Sequence, residues 1–307
     1  MMIGPLALAV DVGATKVAAG LVDVTGKVRG RVQEPLTRQG GQAAVRQVVG
    51  LAQRVASGKP TAGVGVAVPG VVDQRQREVV WAPNIRGWRR VKLAEAVESA
   101  LRVPTRLAYD GHAAVLGEHW MGAGRSVRNL VMLVIGTGIG GGMILDGRLY
   151  GGSDGLAGAA GWLTSGACAT ATRADQHQPT LEAAAAGPAL AHHAGAVDGR
   201  AEAIFAAAAS GDATSQRALD DVAERLGLAV ADVVSLLNPD LVVLGGGVCS
   251  GAGGARLLPR IRRAVRDHAQ PVAARRVRIV RSRLGTNAGL IGAARAVFAA
   301  METEGRL

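Results

Sequence analysis

Short apolar runs broken by glycine dominate the start of the chain. Leu6–Val12 reads as a strand, Val17–Val22 follows almost at once, and the Thr25-Gly26 turn leads into Lys27–Gln33. Runs this close, joined by glycine-containing turns, predict antiparallel pairing. Over Gly41–Ser57 the spacing changes. Ala44, Val45, Val48, Val49, Ala52 and Val55 recur at threes and fours, which predicts a helix. Gly63–Val68 is the next strand and stops at Pro69-Gly70. Val91–Leu101 reads as an amphipathic helix, and Thr105–Tyr109 as a strand ending at Asp110, with a helix over Gly111–Met121.

The opening signature then returns. Leu130–Ile135 is followed by the glycine run Gly136–Gly142, then Met143–Leu145, then an Asp146-Gly147 turn into Leu149-Tyr150. Strand, glycine loop, strand, turn, strand thus occurs twice, which predicts two related lobes. Beyond Gly151–Pro179 the pattern is mainly helical. Leu219, Val222, Leu226, Val230, Val233 and Leu237 mark a helix over Asp212–Leu237, with Asp212 as its N-cap and Asn238-Pro239 as its stop. Leu241–Leu244 is a buried strand leading into Gly245-Gly246-Gly247. Val277–Val280 is a late strand and Thr286–Ala300 a closing helix.

Composition narrows the class. With 307 residues, 49% hydrophobic and 19% charged, the chain is globular and long enough for two domains. Aromatics are only 3%, so each one is conspicuous. The first residues lack the basic segment of a signal peptide, and no apolar run is long enough to span a bilayer. Cys168 and Cys249 are isolated, which suits a reducing compartment, so the expected location is cytoplasmic. The net charge of +11 is carried mostly by arginine, much of it between Arg256 and Arg283. No aromatics interleave with those arginines, so a solvated face is expected there and a nucleic-acid partner is not.

Three glycine turns invite chemistry. In Asp11-Val12-Gly13-Ala14-Thr15-Lys16 an acid ends a strand, and a tight turn there aims backbone N–H groups at phosphate oxygens. Asp11 is placed to orient Mg²⁺ through water, with Thr15 and Lys16 beside the phosphates. An ordinary hairpin turn would look the same. Gly136–Gly142 has five glycines in seven residues, with the Thr137 hydroxyl among them, and reads as a second phosphate loop or as a flexible link. Gly245-Gly246-Gly247 would admit a purine or a ribose, or serve only for close packing.

Taken together, DVGATK (11–16), PG (69–70), APNIRGW (82–88), YDGHAAVLGE (109–118), GTGIGGG (136–142), LEAAAAGPA (181–189) and NPDLVVLGGGV (238–248) resemble the ROK (repressor, open reading frame, kinase) family of sugar kinases. The resemblance runs from about Leu6 to Ala300. It implies a two-lobed actin-like α/β fold of the ribonuclease H-like, hexokinase type, with a small lobe over 1–109, a large lobe over 110–286, and the C-terminal helix 287–307 packed back on the small one. It implies ATP and Mg²⁺, with Asp110 as the base that takes the proton of a hexose hydroxyl, expected to be the 6-hydroxyl. Nucleotide contacts would come from Asp11, Gly13, Thr15, Lys16, Gly136, Thr137, Gly138, Gly245, Gly246 and Gly247. Gly70, Asn84, Tyr109, Trp162 and Glu182 would line the sugar. A homodimer or larger assembly is also implied.

The departures lie on the sugar side. The family's Gly-Glu-x-Gly-His stands here as Gly158-Ala159-Ala160-Gly161-Trp162, and Tyr109 replaces an asparagine. The cysteine cluster that binds zinc is replaced by Ser165-Gly166-Ala167-Cys168-Ala169-Thr170 and, further on, Asp175-Gln176-His177, so no structural zinc is expected. These changes imply a modified hexose as acceptor, such as the amino sugar of kanosamine kinases. The alternative is a chain that keeps the fold but works as a weak or inactive binding or regulatory protein.

Overall fold

A computed structural model describes residues 4–164, 180–196 and 201–307. The first sheet begins as expected. β1 (Leu6–Val12), β2 (Lys16–Asp23) and β3 (Val28–Pro35) form an antiparallel meander. Its second turn is fixed by Asp23, whose Oδ1 accepts from the Thr25 and Lys27 backbone N–H groups and from the Thr25 hydroxyl. After α1 (Gly41–Ala56), β4 (Gly63–Val68) pairs parallel with β1. Three short strands follow, β5 (Val71–Asp73), β6 (Glu78–Trp81) and β7 (Arg89–Val91), and make a small antiparallel sheet of their own. The reading of Val91–Leu101 as one helix overlooked this, because Val91 pairs with Val79 and α2 starts only at Leu93 (Leu93–Leu101). β8 (Thr105–Tyr109) closes the first sheet, in the order β3-β2-β1-β4-β8.

α3 (Asp110–Met121) leads to the second sheet, which repeats the plan. β9 (Leu130–Ile135), β10 (Ile139–Leu145) and β11 (Arg148–Leu149) are antiparallel. The helices α4 (Leu181–Ala185), α5 (Gly187–His193), α6 (Ala201–Ala209) and α7 (Ala213–Leu237) come next. Then β12 (Leu241–Gly245), α8 (Gly251–His268), α9 (Pro271–Arg276), β13 (Arg278–Arg281) and α10 (Ala288–Thr303) complete the chain. The order β11-β10-β9-β12-β13, with β12 and β13 parallel to β9, is that of the first sheet with new members. The repeat in the sequence is therefore a repeat of topology.

Five layers result. α1 and α2 bury Leu51, Ala52, Leu93 and Val97 against the outer face of the first sheet. α7 and α8 bury Leu226, Val230, Leu257 and Ile261 against the outer face of the second. Asp212 caps α7 by accepting from Ser215 N–H at 2.7 Å. Between the sheets lie α3 and α10. α10 packs on β1 and β4 through Leu290, Ala293, Ala294 and Val297, and α3 packs on β9 and β10 through Ala114 and Val115.

The two central helices cross at glycines. A methyl group at Gly292 would overlap the Ala113 carbonyl, and one at Gly117 the Ala288 carbonyl. A buried carboxylate ties α3 to the segment before α10. Glu118, fully buried, accepts from the Ser282 hydroxyl at 2.5 Å, from Leu284 N–H at 2.9 Å and from Ala123 N–H at 2.7 Å. Glu118→Ala leaves those donors unmet and is expected to cost about 2–4 kcal/mol in urea unfolding. An unchanged midpoint would show that water replaces the carboxylate at no cost.

Candidate active site

Parallel register does the first part of the positioning. Asp11 stands beside Ala67 on β4, and Ala67 beside Ala108 on β8. Asp110 follows β8 as the first residue of α3, close enough to Asp11 for that charge to bear on it. Two strand spacings put roughly 10 Å between them across the sheet, enough for a phosphoryl group. Both acids lie where β1 and β8 end, beside the central helices. Asp110 opens α3, and its Oδ1 accepts from Gly111 N–H at 2.7 Å. Asp11 faces the first turn of α10 at Gly289, where a side chain would collide with its carboxylate.

Both carboxyls are pushed up. Burial raises Asp110 to about 7, with the charges of Asp11 and Glu182 adding to it and the Gly111 N–H opposing. Burial raises Asp11 to about 6, against the pull of Lys16 and Arg31. Both charges that act on Asp110 are negative, and cations bear on only one of the two carboxyls. Their hard oxygens fit a divalent ion that keeps water and phosphate oxygens as its other ligands. Among the described residues no group of three or more His, Cys, Asp or Glu could hold a metal by itself. The replaced zinc segment at 165–179 lies outside the described residues.

The second glycine run is only partly a loop. Gly136 N–H donates to the Gly138 carbonyl at 2.8 Å, which closes a tight turn with Thr137 exposed at its tip. Gly140, Gly141 and Gly142 belong to β10 and pair with Val134, Leu133 and Met132. They are glycines because other groups need the space. A methyl at Gly140 would sit 2.8 Å from the Tyr109 hydroxyl, and one at Gly141 or Gly142 would strike Gly158 or Gly111 backbone. Tyr109 is itself buried, with its ring edge-on to His112 at 5.2 Å. Burial and the Asp110 charge hold its phenol proton on, against a hydrogen bond with the Gly141 backbone. His112 donates from Nε2 to the Ala157 carbonyl at 2.8 Å, and burial keeps its ring neutral despite that bond.

Glu182 sits in α4, which Thr180 caps. Its Oε2 accepts from Ile139 N–H at 2.7 Å, beside Gly138, where a methyl would meet both this carboxylate and Asn84 Nδ2. Asn84 is exposed on the loop after β6. That loop is pinned by Trp88, which is buried and donates to the Gly41 carbonyl at 3.2 Å, and by Gly41 N–H donating to the Arg86 carbonyl at 2.7 Å. Gly70 backs onto the Trp81 carbonyl. Trp162 is exposed, and its ring lies 6.4 Å from that of Trp81. Gly246 lies against Ile135 of β9, and Gly187 N–H donates to the Gly136 carbonyl at 2.8 Å, so the second and third glycine turns share one sheet end. A cavity of about 660 Å³ opens there, lined by Leu244, Ser250, Arg281, Ser282, Gly285 and Thr286. Asp11, Asp110, Glu182, Asn84 and the Gly136–Gly138 turn are thus gathered in one region.

The profile of the ROK family matches residues 7–299. The chain is a sugar kinase of the ROK family. This ROK kinase is 31% identical to the glucokinase of Thermotoga maritima, over 94% of the chain and 95% of that protein. It is 32% identical to the bifunctional enzyme NanE/NanK of Brucella melitensis, over 94% of the chain but 53% of that longer protein. Among solved structures it resembles a ROK family glucokinase from Streptomyces griseus in complex with glucose and AMPPNP. There the TM-score is 0.81 and the identity 28%, covering 95% of this chain and 98% of that one. The ROK kinase therefore has the two-lobed actin-like fold. No helix among its described residues is long and apolar enough to cross a membrane.

Trp81 escaped the reading of the sequence. Only the scarcity of tryptophan could have drawn attention to it, since its place opposite Trp162 depends on the small sheet β5–β7.

Proposed function

We propose that this kinase transfers the γ-phosphoryl group of ATP to the 6-hydroxyl of a hexose or modified hexose, with Asp110 as the base. The observation that carries the reading is the pair of buried acids Asp11 and Asp110, one near the end of β1 and one just after β8, with the charge of the first bearing on the second. Asp110 accepts the proton as the hydroxyl oxygen attacks, and its raised pKa matches it to that task near neutrality. Phosphoryl transfer needs positioning and charge more than covalent help. The N–H groups of Gly13 and Gly136 are given to the Lys16 and Gly138 carbonyls, so the backbone N–H groups that follow them in each turn, with the side chains of Thr15, Lys16 and Thr137, would hold the phosphates. Gly245–Gly247 and the cavity beside them would take the nucleoside. A bound Mg²⁺ would neutralise phosphate charge, and Asp11 would orient it through water. Gly70, Asn84 and Glu182 would face the sugar, with Tyr109 walling the base.

A screen of ATP consumption over glucose, mannose, their amino and N-acetyl forms and 3-substituted glucoses tests this, with Asp110→Asn as the blank. Sugar-dependent ADP release in the wild type alone supports the reading. Silence across the panel would favour the binding or regulatory alternative, which the loss of polar groups at Ala159 and Trp162 makes specific.

Glu182 offers a finer check. Its charge helps to raise Asp110, and glutamine at this position keeps an acceptor for Ile139 N–H. Glu182→Gln is therefore expected to move the acid limb of the kcat/KM profile below its wild-type position. A limb that stays or rises would remove Glu182 from the electrostatics of the base.

A further inference from the structure

Two tryptophans meet at the rim of this site, one from each sheet's neighbourhood. Trp81 ends β6, three residues before Asn84. Trp162 follows Gly161, where a side chain would meet the Ile139 carbonyl and the Cβ of Glu182. The rings are 6.4 Å apart and tilted by 46°, and Trp162 is 61% exposed. The other two tryptophans are used inside the fold. Trp88 is buried, and Trp120 packs edge-on to Phe298 beneath Arg295. Beside Trp81 a cleft of about 370 Å³ is lined by Val71, Val80, Arg89 and Arg90. In register Trp81 faces Val71 on one strand and Arg89 on the other, so these three share a face of the small sheet. Arg90 is engaged by Glu78 at 3.2 Å.

We propose that Trp81 and Trp162 seat an apolar or aromatic substituent at the end of the acceptor remote from the reacting hydroxyl, so that an aryl glycoside is preferred to the free hexose. This rests on the sugar-kinase reading above. A hexose whose 6-hydroxyl meets Asp110 directs its anomeric carbon to the far end of the ring. Among the described residues Ala159, Ala160 and Trp162 stand at this rim beside Glu182, and the side-chain polar atom of those three is an indole N–H. Glu182 would engage the sugar ring itself, and past it a free hexose presents nothing to these rings, whereas an aromatic aglycone gains contact with the exposed Trp162 ring and with Trp81 beside it. Exposed aromatic surface next to a polar pocket is the arrangement that holds a ligand with one apolar end and one polar end.

The test compares phenyl β-glucoside with glucose on the intact protein, by steady-state kinetics and by quenching of tryptophan fluorescence. The expected KM and half-saturation of quenching for the glycoside are about tenfold below those for glucose. Trp81→Ala and Trp162→Ala should each bring that ratio within about threefold of unity, while Trp162→Phe retains most of it. Equal KM values with phosphorylation intact would overturn the aromatic seat and leave the kinase standing. Saturable quenching by phenyl glucoside that Trp162→Ala removes, with no sugar phosphorylated, would keep the seat and overturn the kinase assignment.

Discussion

Asp110→Asn is expected to lower turnover by about 10²–10⁴-fold and, in the same molecule, to stabilise the unliganded protein at neutral and alkaline pH. The two effects have one origin. Burial, with the charges of Asp11 and Glu182, raises the Asp110 carboxyl from 3.8 to about 7. A group whose pKa is raised by folding favours the folded state while protonated. Its contribution is whole below pH 3.8 and is lost as pH climbs through about 7. Asparagine stays neutral and still accepts from Gly111 N–H, so it avoids that loss, on the order of 4 kcal/mol. Thermal melts should coincide near pH 4 and separate by several degrees at pH 8, with the variant higher. Added Mg²⁺ and nucleotide should narrow the gap by stabilising the charged form. A variant that loses turnover but gains no stability above pH 7 would mean that the carboxylate is well solvated and not held up as a base.

The second large effect is expected far from any substrate. Gly292 of α10 lies against the Ala113 carbonyl of α3, with no room for a side chain. Gly292→Val forces the helices apart at the centre of the molecule and should cost about 3 kcal/mol or more, lowering Tm by roughly 6–12 °C. Gly50→Ala is the control. It also replaces a helical glycine, but one with no heavy atom closer than 3.7 Å, so it should be neutral or slightly stabilising. Equal behaviour of the two variants would show that helix propensity, and not the crossing, sets the outcome. Activity should fall with Gly292→Val, because the same helices carry Asp110 and face Asp11.

Much of this was legible in the residues. Strands such as β1, β4, β8 and β9 were marked by apolar runs with turn signals, because each is buried on both faces and must read as a continuous run. The duplicated plan was visible because both halves begin with the same meander. The acids were visible because each ends a strand. What escaped had weaker local signals. β5–β7 are short and half exposed, so neither length nor alternation announces them. The run Gly136–Gly142 looked like one loop because composition does not separate a turn from a strand kept thin for its neighbours. That distinction came only with Tyr109 and Gly111, brought close from another element. The pairing of Trp81 with Trp162 is likewise a product of tertiary contact alone.

The crossing of α3 and α10 has a mechanical consequence. Surfaces that interdigitate side chains resist sliding, because knobs must leave their holes before anything turns. Here the helices touch backbone to backbone over Gly117 and Gly292, so at those points no side chain would have to leave a hole for one helix to turn against the other. A rotation of the two halves about this contact would displace their outer parts most and Asp11 and Asp110, which lie nearest to it, least.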